Sequence, residues 1–376
     1  MNISQIQIFS SDEEVDFQGI SNPDLILVFG EINLMSEFDF STKVMKRYPD
    51  TEIIGCSTSG EITKKGVSDR TIVFTAIQFS QTKARVEEVP IHKMEESFSA
   101  GALLGQKLFS EDLSSVLIYS KGVDVNGSAI LDGLRDSLGQ GITITGGLAG
   151  DNGNFQDTKV LSRNGLQSDA ICAVGLYGSG IKVDAGVYGG WSAFGPLRKV
   201  TRSAGNILYE LDGQPALDLY KTYLGEYSRD LPSSGLLFPF EMLSDEAQSI
   251  GLIRTILGID PEKGSLILAG NIEEKGYLRL MHASTDHLID GAEKAVIQIK
   301  PMDTEKNALA ILVSCVGRKL VMGDQIDDEV LVVAEKLGKN CSITGFYSYG
   351  EIAPLTNELN CKLHNQTMTI TRLYEV

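Results

Sequence analysis

Short apolar runs separated by amphipathic stretches recur three times along the chain. "DLILVFG" (24–30) predicts a strand and the segment around 37–48 a helix. "TEIIGCSTSGE" (51–61) predicts a strand running into a glycine-rich turn, and "RTIVFTAIQF" (70–79) a further strand. A second pass begins at "SSVLIYS" (114–120), continues through a helical stripe of Ile130, Leu131, Leu134 and Leu138, and reaches "GITITGGLAGD" (141–151) and "DAICAVGLYG" (169–178). The third runs from "ALAILVSCVGR" (308–318) through a helix with Ile326, Val330, Val333 and Leu337 on one face, opened by the candidate N-cap Asp324 and closed by Gly338. It ends with "CSITGFYSYGE" (341–351) and "QTMTITRLYEV" (366–376). Each pass reads β-α-β-β, with its first strand and its turn separated by about the length of a βαβ unit.

The turns of the first and third passes echo one another: "IIGCSTSGEI" (53–62) and "ITGFYSYGEI" (343–352) share Ile, Gly, Gly, Glu and Ile in the same places. The turn of the second pass is a relative in kind, with its glycines one residue closer. Between the second and third passes lie the strands "IKVDAGVYGGW" and "GPLRKVTRSAGNILYEL", a turn at Asp212–Gly213 and a helix around 215–224. These patterns predict an α/β fold of layered mixed β-sheets flanked by helices, built from duplicated β-α-β-β units in two domains, 1–212 and 213–376.

Composition narrows what such a fold can do. With 33 basic and 50 acidic residues the formal charge is −17, and no basic run interrupts it, so nucleic acid and anionic membrane are disfavoured as partners. "MNISQIQIFSSDEEVDF" lacks the basic start and apolar core of a signal peptide, and no stretch is long and apolar enough to span a bilayer. A cytoplasmic chain without membrane insertion is expected. Five widely spaced cysteines, Cys56, Cys172, Cys315, Cys341 and Cys361, predict reduced, buried thiols rather than a disulfide framework or a metal site.

Candidate chemistry centres on the turns. Strand ends in an open α/β sheet are free to bind ligands, and Cys56, Ser57, Thr58, Ser59 and Glu61 offer hydroxyls, backbone N–H groups and a carboxylate. Tyr347, Ser348, Tyr349 and Glu351 offer the same from the third pass, both phenols falling on one side of an extended segment. The alternative is that these groups satisfy one another as ordinary turn chemistry. Arg254 and Arg318 lie in or beside apolar strands, where a guanidinium must clamp a ligand carboxylate or pair internally with Glu61, Glu351 or Asp324. Neither G-x-S-x-x-G nor G-x-x-S-x-G is a nucleophile elbow, and no phosphate-binding or dinucleotide fingerprint is present. His282 and His287 would stand about 140° apart on a helix, too far to share a metal. Each of His92, His282, His287 and His364 is a lone candidate for haem iron.

"IIGCSTSGEI" resembles the signature of the FIST N-terminal domain. The set "VTRSAGNILYELDGQPALDLY", "SCVGR", "GFYSYGEIAP" and "LHNQTMTI" resembles the junction and the FIST C-terminal domain of the same family, F-box and intracellular signal transduction proteins. The resemblance implies a sensory module that binds a small molecule, such as an amino acid or a derivative, and signals to an output protein such as a histidine kinase. The chain ends just after its last predicted strand, so that output is expected on a separate protein. The two echoing turns are expected to line one pocket, with Arg318 as clamp, the carboxylates suiting a ligand ammonium and the arginine its carboxylate. Two further readings stand beside this one: a haem-based nitric oxide sensor, and an enzyme using Cys56 or the loop carboxylates. No spacing identifies a reaction, so no catalytic residue is assigned and a non-enzyme is expected.

Overall fold

The computed structural model describes residues 1–300, 306–355 and 361–376. The first pass supplies β1 (Asn2–Ile8), β2 (Leu25–Gly30), β3 (Glu52–Ser57), β4 (Glu61–Thr63), β5 (Gly66–Ser68) and β6 (Ile72–Gln78), with helix α1 (Ile32–Glu37) between β2 and β3. Where a helix was expected over 37–48, α1 ends at Glu37 and only a π-helical turn, Ser41–Met45, follows. Phe38 and Phe40 lie between the two. Two residues apart, they both pack on Phe74, which a continuous helix would not allow.

The second pass supplies β7 (Lys83–Pro90), α2 (Ser97–Leu108), β8 (Leu113–Ser120), α3 (Gly127–Leu138), β9 (Thr143–Leu148), β10 (Val160–Ser162), β11 (Gly165–Gln167) and β12 (Ala170–Tyr177). The third opens earlier than its pattern suggests, at β13 (Ile181–Tyr188). It is then interrupted by a nine-stranded sheet between Ser192 and His282, which carries α4 (Ala216–Leu224). It resumes with α5 (Thr285–Ile297), β14 (Ala308–Cys315), α6 (Val316–Met322), α7 (Ile326–Leu337), β15 (Cys341–Ser348), β16 (Gly350–Pro354), β17 (Cys361–His364) and β18 (Met368–Glu375). Gln325, not Asp324, precedes α7, and it makes no side-chain cap. The boundary expected at 213 falls inside the interrupting sheet, at the turn between the paired strands Ile207–Leu211 and Gln214–Pro215.

The three passes form three six-stranded mixed sheets of one design: β1-β6-β2-β3-β10-β11, β7-β12-β8-β9-β16-β17 and β13-β18-β14-β15-β4-β5. In each, a parallel pair joined through helices is extended on one side by two antiparallel strands of its own pass. The other side is completed by a hairpin from a different pass. β4-β5 leaves the first unit for the third, β16-β17 leaves the third for the second, and β10-β11 leaves the second for the first. The exchange closes a cycle. β2, β8 and β14 are buried on both faces, which is why they read as unbroken apolar runs. Where the units meet, Phe29, Tyr119 and Phe346 contribute one ring each to a cluster with centroids 4.7 to 5.9 Å apart.

Gly55, Gly146 and Gly345 are the structurally equivalent glycines, although the second turn stays one residue shorter between Gly146 and Gly150. A Cβ at any of them would lie 1.8 to 1.9 Å from the carbonyl oxygen of Val28, Ile118 or Leu312 on the neighbouring parallel strand. No side-chain adjustment relieves a clash with main chain. Among the described residues no helix is long and apolar enough to cross a membrane. Gly345→Ala should therefore cost more than about 4 kcal/mol of stability or abolish soluble expression, as measured by urea denaturation; a loss under about 1 kcal/mol would refute this account of the glycine.

Candidate functional site

The structure brings the first and third turns together, as paired backbone. Ser59 N donates to the Tyr347 carbonyl and Tyr347 N to that of Gly60, each at 2.9 Å. The second turn joins them, with Gly150 N donating to the Ser57 carbonyl at 2.9 Å and Ser57 Oγ to the Gly150 carbonyl at 2.7 Å. Cys56, Ser57, Thr58, Ser59, Glu61, Tyr347, Ser348, Tyr349 and Glu351 are all buried. They do not face one another across a pocket, because each strand end is covered by the hairpin of another unit.

The echo in the sequence has a specific cause. Glu61 accepts a hydrogen bond from Thr58 Oγ1 through one oxygen, and through the other from Thr71 N (3.1 Å) and Thr71 Oγ1 (2.7 Å). Glu351 repeats this with Ser348 Oγ (2.8 Å), Thr367 N (3.0 Å) and Thr367 Oγ1 (2.8 Å). Thr71 and Thr367 immediately precede β6 and β18. Each carboxyl therefore ties a donated hairpin back to the last strand of its own unit. In the second turn Asp151 takes over, accepting from Phe155 N, Gln156 N and Asp157 N and from the Tyr349 hydroxyl.

Tyr347 and Tyr349 part company because the chain changes sheets between β15 and β16. The Tyr347 hydroxyl donates to Glu329 at 2.6 Å, whereas Tyr349 stacks on Phe155 with centroids 4.0 Å apart. Arg318 is not a ligand clamp. It is fully buried, donates to Glu329 from Nε (3.1 Å) and Nη2 (2.6 Å), and reaches the carbonyls of Gly189 and Leu288. Its partner is none of the three carboxylates expected. Glu329 was legible in principle, lying three residues after Ile326 and four before Val333 on the apolar face of α7. The Cys56 thiol is pushed well up by burial, which removes thiolate character, and all five cysteines are free and buried.

Of the predicted residues, Arg254 and Ser59 line open space, in two separate cavities. The Arg254 guanidinium is buried and bonds only carbonyl oxygens, those of Asn271 (Nε, 3.0 Å), Ile253 (Nη1, 3.1 Å) and Leu363 (Nη1, 3.0 Å). Burial pulls it down to about 10, with Glu273 acting in the opposite direction, so it remains a cation at neutral pH. Gly270 packs against its plane, the position of a Cβ there being 3.1 Å from Cζ. Arg254 lines a cavity of about 180 Å³ at a three-way junction. Ser128 and Asp132 come from the first turns of α3, Asn271 and Glu273 from the interrupting sheet's last loop, and Lys362 from β17. Asn126, the N-cap of α3, donates to Asn271 Oδ1 at 2.8 Å and fixes the junction. These surrounding groups were not foreseen, because they come from three separate stretches with no shared motif.

A second, more open cleft of about 670 Å³ is where the turns reach solvent, through Ser59 and Asn152, beside Lys319 paired with Asp69. His92, His282 and His287 are exposed, and His364 is buried with Nε2 3.0 Å from the Ala353 carbonyl. None of the four lines either cavity. No group of His, Cys, Asp and Glu among those residues could hold a metal ion.

Burial raises Glu61 and Glu351 to about 7 against their hydrogen bonds, so the folded chain retains protons that the unfolded chain releases near 4.5. Their stabilisation is complete below that value and is lost as pH rises through about 7. His364, lowered by burial to about 4, acts in the opposite sense: its contribution is complete above 6.5 and is lost as pH falls. Glu61→Gln with Glu351→Gln isolates the carboxyls. Relative to the parent, the variant should gain stability between pH 4.5 and 7.5 by up to about 3 kcal/mol per carboxyl in urea denaturation; a difference independent of pH would mean that the carboxyls titrate normally.

Comparison with known proteins places the chain in a family. An uncharacterised protein of Methanocaldococcus jannaschii is 25% identical over 352 residues, covering 82% of this chain and 65% of its own length. The chain thus spans just under two thirds of that relative. A chorismatase crystal structure is similar over 99% of both chains at 9% identity, with a TM-score of 0.35. Residues 24–214 match the FIST N domain and residues 216–354 the FIST C domain, so the chain belongs to the FIST family.

Proposed function

We propose that this chain is a cytoplasmic sensor that binds a small carboxylate of amino-acid type at Arg254 without turning it over, and signals to a separate protein such as a histidine kinase. FIST domains are associated with sensing of small ligands in signal transduction. The observation that carries the reading is a buried, charged guanidinium at a cavity whose partners are all neutral carbonyls. A buried cation hydrogen-bonded to no carboxylate is costly, since Glu273 acts on it only from the exposed rim, and a ligand carboxylate would supply a direct charge-assisted pair. Asp132 and Glu273, both exposed at the rim, suit an ammonium.

The location suits a sensor. α3 belongs to the second unit, Arg254 to the interrupting sheet and Lys362 to the third unit's hairpin. A ligand touching all three favours one arrangement of the junction, and a preference of about 1–3 kcal/mol shifts a partner's affinity about 5- to 150-fold.

A thermal-shift and calorimetric screen of amino acids, alongside the matching amines that lack the carboxylate, tests this reading. A true ligand at about 100 times its Kd adds about 2.7 kcal/mol of stability. Arg254→Lys and Gly270→Ala should weaken binding at least about tenfold while the fold is kept, because both disturb the planar clamp. No stabilising amino acid, an amine that binds equally well, or affinity unchanged in both variants would overturn the proposal.

A further inference from the structure

Two cavities of this fold are versions of one groove. In the exchanged hairpins, Leu161, Ile352 and Ile62 pair with the equivalent glycines Gly55, Gly146 and Gly345, and their hairpin partners are Leu166, Leu363 and Val67. Leu363 lines the Arg254 cavity together with α3, the helix that follows β8. Val67 lines the cleft of about 670 Å³ together with α6, the helix that follows β14. Each is the groove between a donated hairpin and the first helix of the unit that receives it. The third copy is filled from within, Leu166 packing in the first unit's core beside Leu34 of α1. The likeness extends beyond the hairpins: Gln366 and Arg70, each just before the threonine that binds a buried carboxyl, are both non-glycine residues at positive φ, 63° and 61°.

The two open grooves differ in their cover. Over α3 the interrupting sheet lays the apolar side chains of Met242, Leu252 and Ile272, and Arg254 donates to the Leu363 carbonyl at 3.0 Å. Gln366 is buried there and donates to the Leu236 carbonyl of the same segment. Over α6 nothing corresponds among the described residues. Arg70, Leu320, Asp324 and Asp327 are exposed, Leu320 to 53%. Val67 N donates to Asp327 at 2.7 Å, so the Val67 peptide groups face away from the hairpin and its carbonyl is open where that of Leu363 is taken. Ser59 at this cleft bonds Tyr347, whereas Lys300 and Lys306 stand with Cys341 about 20 Å down the same strand, and the five residues joining them are too few to go there and return. Leu355 and Cys361 stand on the Arg254 side.

An uncovered copy of a groove that protein covers elsewhere calls for a protein cover. Charge selects its chemistry. Asp69 is neutralised by Lys319, which leaves Asp324 and Asp327 at the rim of an apolar floor formed by Val316, Leu320 and Ile326. We propose that this cleft docks a separate protein through a segment that carries an arginine among apolar side chains. Its guanidinium takes the Val67 carbonyl and the two carboxylates, as Arg254 takes the Leu363 carbonyl, and its apolar residues lie on α6. Arg70 donates to its backbone where Gln366 donates to Leu236. This surface serves the separate output protein of the preceding section but needs no ligand at Arg254, so the two readings fail separately.

The strand that carries Arg254 supplies the probe. A fluorescein-labelled peptide copying residues 248–256 (QSIGLIRTI) is titrated with the full chain and followed by fluorescence anisotropy, beside the same peptide with Arg254→Gln. The arginine peptide should bind saturably and at least about tenfold more tightly than the glutamine peptide. Its affinity should fall at least about tenfold in a chain carrying Leu320→Glu with Asp324→Lys, whose exposed positions keep the thermal midpoint, and should persist in an Arg254→Lys chain. Absence of saturable binding, equal binding of the glutamine peptide, or affinity unchanged in the double variant would overturn the proposal. Loss of binding in the Arg254→Lys chain alone would also overturn it, by assigning the peptide to the covered groove. A dimer of the chain in sedimentation that the double variant dissociates would do the same, since a second copy would then be the cover.

Discussion

The three-sheet body depends on polar turns that pass from one sheet to another through the protein interior. A strand leaving its own sheet must bring its peptide groups and side chains through space without water, and every unpaired polar group there costs stability. At Gly60–Glu61 and Gly350–Glu351 the solution is the same: an i−3 hydroxyl, a carboxyl, and a threonine at the start of the unit's last strand. The carboxyl accepts three hydrogen bonds and remains buried. Since the hairpins are exchanged in a cycle, none of the three sheets is complete without a neighbour.

That constraint explains which parts of the architecture were legible in the sequence. The passes were, because β2, β8 and β14 are apolar on both faces and the close strand contacts demand glycine at 55, 146 and 345. The destination of each hairpin was not. Strands of three to five residues such as Glu61–Thr63 carry too short a pattern to name a partner hundreds of residues away. The interruption of the third unit was hidden for the same reason: β13 pairs with β18 across almost the whole second half of the chain. The turns were read as solvent-facing strand ends, a rule for open sheets that fails where another unit's hairpin covers the end.

The two arginines show the same limit in side chains. Arg254 and Arg318 occur in similar apolar contexts, and local sequence does not separate them. A carboxylate on the buried stripe of α7 satisfies Arg318, whereas carbonyls alone meet Arg254. A glutamate within a helix's apolar face was the available signal for the first. The absence of an equivalent around Arg254 becomes visible only when the interrupting sheet, α3 and β17 are assembled.

The interrupting sheet and the three-sheet body are attached by a different kind of contact from that within the body. Trp191 Nε1 donates to the Gln366 carbonyl at 2.9 Å, Gln366 Nε2 to the Leu236 carbonyl at 2.8 Å, and Arg254 to the Leu363 carbonyl. Two of these three bonds converge on Gln366, in the turn that links β17 to β18. That turn also contains Thr367, which binds Glu351. The Leu363 carbonyl that Arg254 bonds therefore lies only four residues from Thr367, the partner of one of the two buried carboxyls that hold the exchanged hairpins. The Arg254 junction and the hairpin cycle thus meet in this one turn.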